Sequence, residues 1–235
     1  MAKDAALVIF GKAPIPGLVK TRLCPPLTQD EAATLQGSLI LDVVERSRPI
    51  EKTARLDRFL ACAPSREHVF FKILQERQGL HLIDQVGEDL GRRMDHAFKE
   101  IFALGYKRLL LVGTDVPTLS ASSYGQALSL LADHDLVLGP SLDGGYYLIG
   151  LKKPAPDLFT DIPWSTDQVY SLTREKAETL GLKTGLLPTC RDLDTIDDLL
   201  ALAREAGPPP IAPCLSTRTA GVLYLLAKRL GTALH

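Results

Sequence analysis

The chain has 235 residues, of which 46% are hydrophobic and 23% charged, so it can bury a core and keep a solvated surface. Its 27 lysines and arginines against 28 acidic residues give a net charge of -1, which argues against a partner held by a broad basic face, such as nucleic acid or an anionic membrane. A phosphate ligand therefore requires a local cluster of cations.

Strand-like and helical patterns alternate along the chain. Residues 108–113 (RLLLVG) are the clearest strand, because an unbroken aliphatic run is typical of a central parallel strand. The alternation predicts an α/β fold, a Rossmann-like three-layer α/β/α sandwich on a mostly parallel mixed sheet. The predicted strands are residues 5–10, 56–63, 80–84, 108–113, 136–139, 146–151 and 182–187. The predicted helices are residues 28–46, 65–77, 90–104, 120–133, 165–180, 195–205 and 216–231. Three of these helices open on a predicted capping pair: Thr28 with Glu31, Ser165 with Gln168, and Thr195 with Asp198.

The proline-rich stretch 207–210 (GPPP) is the one credible linker. It divides the chain into a main domain, residues 1–206, and a segment of residues 207–235 that carries an amphipathic C-terminal helix. That helix packs either on the body of the protein, which we favour, or on a second subunit in a homodimer.

Targeting and redox signals are sparse. The four cysteines, Cys24, Cys62, Cys190 and Cys214, include no C-x-x-C pair, so neither a zinc site nor a disulfide framework is indicated. The N-terminus lacks the long apolar stretch of a signal peptide, and no run approaches the length of a membrane span. We expect a soluble, cytoplasmic protein without a membrane span.

The loop after the first strand is the best candidate for a phosphate site. Open α/β sheets bind ligands at the carboxyl ends of their strands, and three cations lie here within eleven residues. Glycines allow backbone amides to approach an anion, prolines stiffen the loop, and an arginine can grip a phosphate with two hydrogen bonds. The alternative is a solvated basic loop. The candidate nucleotide-binding residues are Gly11, Lys12, Pro14, Gly17, Lys20, Thr21 and Arg22.

Asp115 directly follows the strongest predicted strand. A carboxylate at that position faces the ligand crevice, and its hard oxygens suit Mg²⁺ or Mn²⁺. The alternative is that Asp115 caps the next helix, for which Ser120 is better placed. Asp194 precedes the cap of another helix, so its side chain is free to serve as a second metal ligand.

Two further motifs have a structural alternative. The segment Asp143, Gly144, Gly145 and Tyr146 is a candidate substrate-binding turn, because adjacent glycines let backbone pass close to a sugar or a base, but Asp-Gly-Gly is also an ordinary hairpin turn. Trp164 is either a hydrophobic staple for the next helix, which we favour, or a stacking platform. The five histidines lie outside every cluster, which disfavours a histidine-based hydrolase.

The ordered motifs resemble those of a bacterial family usually labelled glycosyltransferase-like and placed in the GT-A nucleotide-diphospho-sugar transferase superfamily. The resemblance spans residues 5–205. It is carried by residues 12–23 (KAPIPGLVKTRL), 113–117 (GTDVP), 139–147 (GPSLDGGYY), 163–166 (PWST) and 192–199 (DLDTIDDL).

This resemblance implies a GT-A fold and a nucleotide substrate. The Lys20-Thr21-Arg22-Leu23 ending is similar to that of phospholactate guanylyltransferases, and the ending from Asp194 to Leu199 is similar to that of sugar cytidylyltransferases, in which the first Asp is a metal ligand. GT-A glycosyltransferases hold their metal with Asp-x-Asp. Here the matching stretch, residues 113–115, has the single Asp115, so Asp194 is left to complete the site.

Three functions remain open at this point. With a nucleoside triphosphate, an acceptor oxygen would attack the α-phosphorus and release pyrophosphate; with a nucleotide-sugar, the metal would stabilise the departing nucleoside diphosphate. In both cases a small-molecule acceptor is needed, and the candidate catalytic residues are Lys20, Arg22 and Asp115. The third function is a catalytically silent nucleotide-binding module.

Overall fold

The computed structural model describes residues 4–206 and 215–231. Seven strands form one sheet in the order β3-β2-β1-β4-β6-β5-β7. All neighbouring pairs are parallel except those of β6, which runs antiparallel to β4 and β5. The strands are β1 Ala5–Lys12, β2 Leu56–Ala63, β3 His81–Asp84, β4 Arg108–Val112, β5 Leu136–Pro140, β6 Tyr146–Leu151 and β7 Thr184–Leu186.

Helices cover both faces of this sheet. Successive side chains of a strand point to opposite faces, and apolar side chains on both faces are buried against helices. In β1, Leu7 and Ile9 pack with residues of α1, α3 and α5, whereas Ala6 and Val8 pack with residues of α4 and α6. The predicted three-layer α/β/α sandwich with a mostly parallel mixed sheet is therefore confirmed. The helices are α1 Gln29–Arg46, α2 Arg48–Thr53, α3 Val69–Gln78, α4 Leu90–Ala103, α5 Ala121–Asp133, α6 Val169–Thr179, α7 Ile196–Ala206 and α8 Thr217–Arg229.

A third hydrophobic core lies away from the sheet, between α1, α7 and α8. Leu35 and Leu39 of α1, Leu199 of α7 and Leu223 of α8 are all fully buried in it. The apolar face of the C-terminal helix thus packs on the body of the protein, which is the alternative that the sequence favoured. The homodimer through this helix stays a prediction.

Local sequence signals were right at two helix starts and wrong at a third. Thr28 with Glu31 forms a capping box on α1, and Thr195 with Asp198 forms the predicted pair at the start of α7. Helix α6 instead begins at Val169 with Gln168 at its N-cap, so the predicted box of Ser165 with Gln168 is wrong. Ser165 has a φ of 68°, a left-handed conformation that ends the turn before the helix rather than starting it.

Two other differences concern short or undescribed segments. Helix α2 was not predicted from the sequence, because a six-residue helix with a proline in its first turn gives almost no periodicity. The predicted linker at residues 207–210, and with it the boundary between the two predicted segments, lies outside the described residues. Among the helices that the structure describes, none is long and apolar enough to cross a membrane.

Candidate active site

The carboxyl ends of β1 and β4 open into a cleft of about 640 Å³. Segments from all five sequence motifs line it, although they are separated by up to 182 residues between Lys12 and Asp194. The fold therefore brings the motifs together at the edge where open α/β sheets bind their ligands. The lining residues from the predicted site are Lys12, Lys20, Thr21, Arg22, Asp115, Asp143, Gly145, Tyr146 and Asp194.

Lys20 lies at the centre of the site, and its side chain is only 5% exposed. Its Nζ is 2.7 Å from Oδ1 of Asp115 and 3.2 Å from Oδ1 of Asp194, and it donates to the carbonyl oxygen of Leu193. Burial by itself would lower the pKa of Lys20, but the two carboxylates outweigh it, so the pKa is raised. Lys20 is consequently a fixed positive charge between the two carboxylates that the sequence assigned to the metal.

The other cations of the first loop are more exposed. Arg22 Nη1 lies 3.2 Å from Oδ2 of Asp194, and the Arg22 side chain is 65% exposed. Lys12, the last residue of β1, is exposed at the rim of the cleft. Both side chains keep donors free to face an anion in the cleft, whereas Lys20 is already surrounded by acceptors.

The remaining residues of the predicted nucleotide loop shape the loop rather than line the cleft. Gly11 lies within β1, and its carbonyl oxygen accepts a 3.1 Å hydrogen bond from Gln85 Nε2. Pro14 packs beside Gly37 of α1. Gly17 has a φ of 79°, a conformation that other residues rarely adopt. Their contribution to a ligand would be indirect.

Backbone hydrogen bonds hold Asp115 in place. The N–H of Gly113 donates to the carbonyl oxygen of Tyr147 at 3.0 Å, and the N–H of Leu193 donates to that of Asp115 at 2.8 Å. The intervening Thr114 is buried, with its hydroxyl oxygen 3.4 Å from Gln36 Nε2. The Asp115 side chain is 47% exposed and faces the cleft.

Asp143, Asp192 and Asp194 form an acidic cluster in which a carboxylate oxygen from each lies within 4.8 Å of the others. Burial and the neighbouring charges of Asp143, Asp194 and Asp198 raise the pKa of Asp192 to about 6. Three hard oxygen donors whose charges repel one another form a suitable donor set for Mg²⁺ or Mn²⁺. The metal pair predicted from the sequence was Asp115 with Asp194; the structure places Asp194 in a cluster with Asp143 and Asp192 that does not include Asp115.

The side chain of Asp194 does not cap α7, because Asp198 and Thr195 satisfy the start of that helix. The Asp198 carboxylate accepts hydrogen bonds from the N–H groups of Thr195 and Asp194 at 2.9 and 3.3 Å, and the N–H of Asp198 donates to the Thr195 hydroxyl at 3.2 Å. These contacts lower the pKa of Asp198 despite its partial burial, so it stays ionised as a cap.

The turn between β5 and β6 is a hairpin turn, which was one of the two interpretations of its motif; its substrate-binding role stays a prediction. In this turn Asp143 Oδ1 accepts from the N–H of Gly145 at 2.9 Å. Gly144 has a φ of 85°, and a Cβ there would lie 2.1 Å from the carbonyl oxygen of Asp167, so the turn packs directly against the segment before α6. Gly144 does not line the cleft, whereas Asp143, Gly145 and Tyr146 do.

Trp164 lines the wall of the cleft, and its indole lies against Gly91 at the start of α4. The hydrophobic-staple interpretation of Trp164 is wrong, because α6 begins five residues later and not directly after the tryptophan. Gln36, Gln85, Leu90 and Asp192 also line the cleft, and none of them was predicted as a site residue from the sequence. Two signals were available: Gln85 directly follows β3, and Asp192 precedes Asp194 in the last motif.

The chain resembles known proteins in sequence. Residues 48–166 match the family model described as "Uncharacterized protein conserved in bacteria (DUF2064)". Over 227 residues the chain is 30% identical to the 3-phospho-D-glycerate guanylyltransferase of Phenylobacterium zucineum (strain HLK1), a match that covers 89% of this chain and 92% of that protein.

Solved structures agree with this assignment. A crystal structure from Desulfovibrio desulfuricans G20, which carries a provisional name as a nucleotide-diphospho-sugar transferase, matches with a TM-score of 0.85 and 32% identity over 97% of both chains. CMP:2-keto-3-deoxy-manno-octonic acid synthetase with CTP matches with a TM-score of 0.54 and 12% identity over 96% of this chain and 99% of that chain, which shows a shared fold alone. The chain therefore belongs to the DUF2064 family, has the fold of the nucleotide-diphospho-sugar transferases and their nucleotidyltransferase relatives, and is an enzyme of the transferase class.

Proposed function

We propose that the protein is a metal-dependent nucleotidyltransferase that moves a nucleoside monophosphate from a nucleoside triphosphate to a phosphorylated small molecule and releases pyrophosphate. The observation that carries this proposal is the convergence of Lys20 and Arg22 on Asp194, beside further carboxylates, in one cleft. Cations for phosphate oxygens and carboxylates for a divalent metal are the two components that transfer at a phosphorus atom requires.

The charge of the first loop favours nucleotidyl over glycosyl transfer. A triphosphate is more negative than the diphosphate of a nucleotide-sugar, and Lys12, Lys20 and Arg22 all line the cleft. The name of the Phenylobacterium zucineum relative supports GTP as the donor and 3-phospho-D-glycerate as the acceptor. Glycosyl transfer is the second candidate, because the Desulfovibrio desulfuricans G20 protein is provisionally named for nucleotide-diphospho-sugar transfer.

The residues present fit a divalent metal. Asp194 is central, since it contacts Lys20 and Arg22 and also belongs to the acidic cluster, and Asp115 contacts Lys20 as well. We propose that Asp115 and Asp194 hold Mg²⁺ or Mn²⁺, with Asp192 as an additional carboxylate. When bound, the metal neutralises phosphate oxygens and orients the triphosphate.

The residues of the protein stabilise the charge that develops in the reaction and hold the reacting groups in place. An oxygen of the acceptor's phosphate attacks the α-phosphorus, the bond between that phosphorus and the bridging oxygen breaks, and pyrophosphate leaves with the bonding electrons. Because the acceptor phosphate is already ionised, the step requires no proton transfer. Arg22 donates to the leaving group and stabilises the negative charge that develops there, and Lys20 contributes the field of its positive charge from its place between Asp115 and Asp194. Lys20 is held by three acceptors before the substrate arrives, so little reorganisation is needed.

A pyrophosphate-release assay tests this function. The full chain is incubated with Mg²⁺, each nucleoside triphosphate in turn, and either 3-phospho-D-glycerate or phospholactate. We expect pyrophosphate in the presence of both substrates, fastest with GTP, and none in excess chelator. Asp194→Asn is expected to reduce the rate about 100-fold or more, which is the scale of a lost electrostatic contact to the reacting group. Asp197→Asn is the matched control, since Asp197 is exposed nearby on α7 and does not line the cleft.

Two other outcomes would each point to a different function. Consumption of a nucleotide-sugar without pyrophosphate would replace the proposal with glycosyl transfer. Tight nucleotide binding with no turnover of either kind would contradict both and favour a catalytically silent module.

A further inference from the structure

The C-terminal helix α8 completes a hydrophobic core directly behind the site. Leu23, the neighbour of Arg22, and Leu193, which lies between Asp192 and Asp194, are both fully buried. Both belong to the core that contains Leu223, Leu226 and Ala227 of α8. The side chains that anchor two site loops therefore rest in a core that α8 helps to form.

The backbone of Leu193 connects this core to the charged groups. Its N–H donates to the carbonyl oxygen of Asp115, and its carbonyl oxygen accepts from Lys20 Nζ. A shift of the Leu193 side chain would therefore move two backbone groups together: the N–H that binds Asp115 and the carbonyl oxygen that binds Lys20.

A polar connection reaches the Asp115 loop by a second route. At the start of α8, Ser216 Oγ donates to the Asp42 carboxylate at 2.7 Å, and Arg218 Nη1 lies 3.0 Å from the same group. Asp42 is 1% exposed and pairs with Arg46 at 3.5 Å. The Arg46 guanidinium donates to the carbonyl oxygens of Pro117 and Leu119. The start of α8 is in this way linked to the loop that carries Asp115.

The other end of α8 holds the end of the first loop. Arg229 Nε lies 2.7 Å from Glu31 Oε1, and Arg229 Nη2 donates to the carbonyl oxygen of Pro26 at 3.1 Å. Glu31 is the residue whose carboxylate closes the capping box on α1. Polar contacts at both ends and apolar contacts along the middle therefore fix α8 against the elements that carry the site.

We propose that α8 is a positioning element of the active site, which sets the relative placement of Lys20, Asp115 and Asp194 through Leu193 and through Asp42 with Arg46. The helix lines no part of the cleft and acts only through these residues. The kinetic consequence rests on the proposed nucleotidyl transfer, whereas the mechanical consequence does not.

The mechanical test is hydrogen exchange on the full chain. Leu223→Ala should speed exchange about tenfold or more at the amide of Leu193 and across residues 113–120, because local opening of the α8 core frees both segments. Ile101→Ala is the matched control: Ile101 is equally buried, but it lies in α4, in a core that contains no residue of the segment 113–120. Equal exchange at these amides in the two variants, or unchanged exchange in Leu223→Ala, would overturn the proposal.

The kinetic test uses milder variants as well, so that it does not depend on Leu223→Ala folding normally. Leu223→Ala and Arg218→Met should each lower kcat about tenfold or more with a smaller change in KM, since misplacing catalytic groups chiefly affects the transition state. Leu223→Met, which keeps the volume of the side chain, and Arg218→Lys should restore most of kcat. A matching loss in Ile101→Ala would show general destabilisation and overturn the proposal. If the wild-type chain turns over no nucleotide, the proposed function fails, and hydrogen exchange alone decides the role of α8.

Discussion

A Cβ atom on Gly91 would lie 2.4 Å from Cζ2 of Trp164, so only glycine at residue 91 leaves room for this indole. Trp164 is the single tryptophan of the chain, and it is half-buried in the cleft wall. The pair joins the first turn of α4 to the segment before α6. The shape of the cleft wall at Trp164 therefore depends on residue 91 having no side chain.

We expect Gly91→Ala to displace Trp164 and to lower kcat/KM about tenfold or more, because the alanine methyl group occupies the space of the indole. The emission of Trp164 should shift to longer wavelength as the ring moves towards water. Gly125→Ala is the control, since a Cβ there meets Ile50 Cδ1 at an ordinary 3.7 Å in the middle of α5. Wild-type emission and activity in Gly91→Ala would contradict the assigned contact.

Lys20→Met is expected to reduce activity about 100-fold or more, because it removes the positive charge held between Asp115 and Asp194. Lys12→Met is the matched control at the same cleft, where the side chain is exposed. Its loss should raise KM for the nucleotide several-fold and leave kcat nearly unchanged, as expected for binding that does not strengthen in the transition state. The measurement is steady-state pyrophosphate release. Equal effects of the two variants on kcat would show that the buried position of Lys20 has no special role.

The parts of the fold that depend on neighbouring residues could be predicted from the sequence. Strand β2, Leu56–Ala63, and strand β6, Tyr146–Leu151, occur with the predicted bounds, and the Thr28 capping box formed. The two strands follow from short runs of apolar side chains, and the capping box follows from hydrogen bonds between residues three apart in the sequence. The capping box predicted at Ser165 does not form. The segment before α6 packs at Asp167 against Gly144, and neighbouring residues in the sequence do not reveal such a tertiary contact.

The site was predictable as a set of motifs but not as a geometry. Placing Asp115 and Lys12 after strands was enough to put both in the cleft. The approach of Lys20 to Asp194 joins residues 174 apart, and it depends on how two loops meet across the sheet edge. The burial of Asp192 and its approach to Asp143 likewise depend on tertiary packing, so its place before Asp194 in the last motif gave the position but not the geometry.

Asp135, at the amino end of β5 and so away from the cleft, gives a pH-dependent prediction. The N–H of Lys183 donates to its carboxylate at 3.1 Å and, with Lys152, lowers the pKa of Asp135 despite some desolvation. A lowered folded-state pKa stabilises the protein above the unfolded pKa of about 3.9 and ceases to do so as pH falls through the folded value. Asp135→Asn should therefore lower the unfolding free energy at pH 7 by less than about 1 kcal/mol, since the side chain is 35% exposed.

Thermal unfolding of both proteins between pH 7 and pH 3 measures this effect. The difference in Tm between wild type and Asp135→Asn should narrow towards the acid end, where the wild-type carboxylate is increasingly protonated. A difference that stays constant with pH would assign the effect to the lost hydrogen-bond geometry and not to the charge.

Asp192→Asn tests whether the acidic cluster contributes to metal binding. The substitution keeps the shape of the side chain and removes one of the three clustered carboxylates. We expect Mn²⁺ to bind about tenfold more weakly or worse, on the scale of a lost metal-site contact, as measured from the free Mn²⁺ signal in electron paramagnetic resonance titrations. Asp30→Asn, on the exposed first turn of α1, should bind Mn²⁺ as wild type does. Asp115→Asn in the same titration separates the two sets of ligands that share Asp194. Weaker binding in Asp115→Asn with unchanged binding in Asp192→Asn would restrict the metal to Asp115 and Asp194, and the raised pKa of Asp192 would then reflect its burial and the repulsion of neighbouring carboxylates, which a metal does not relieve.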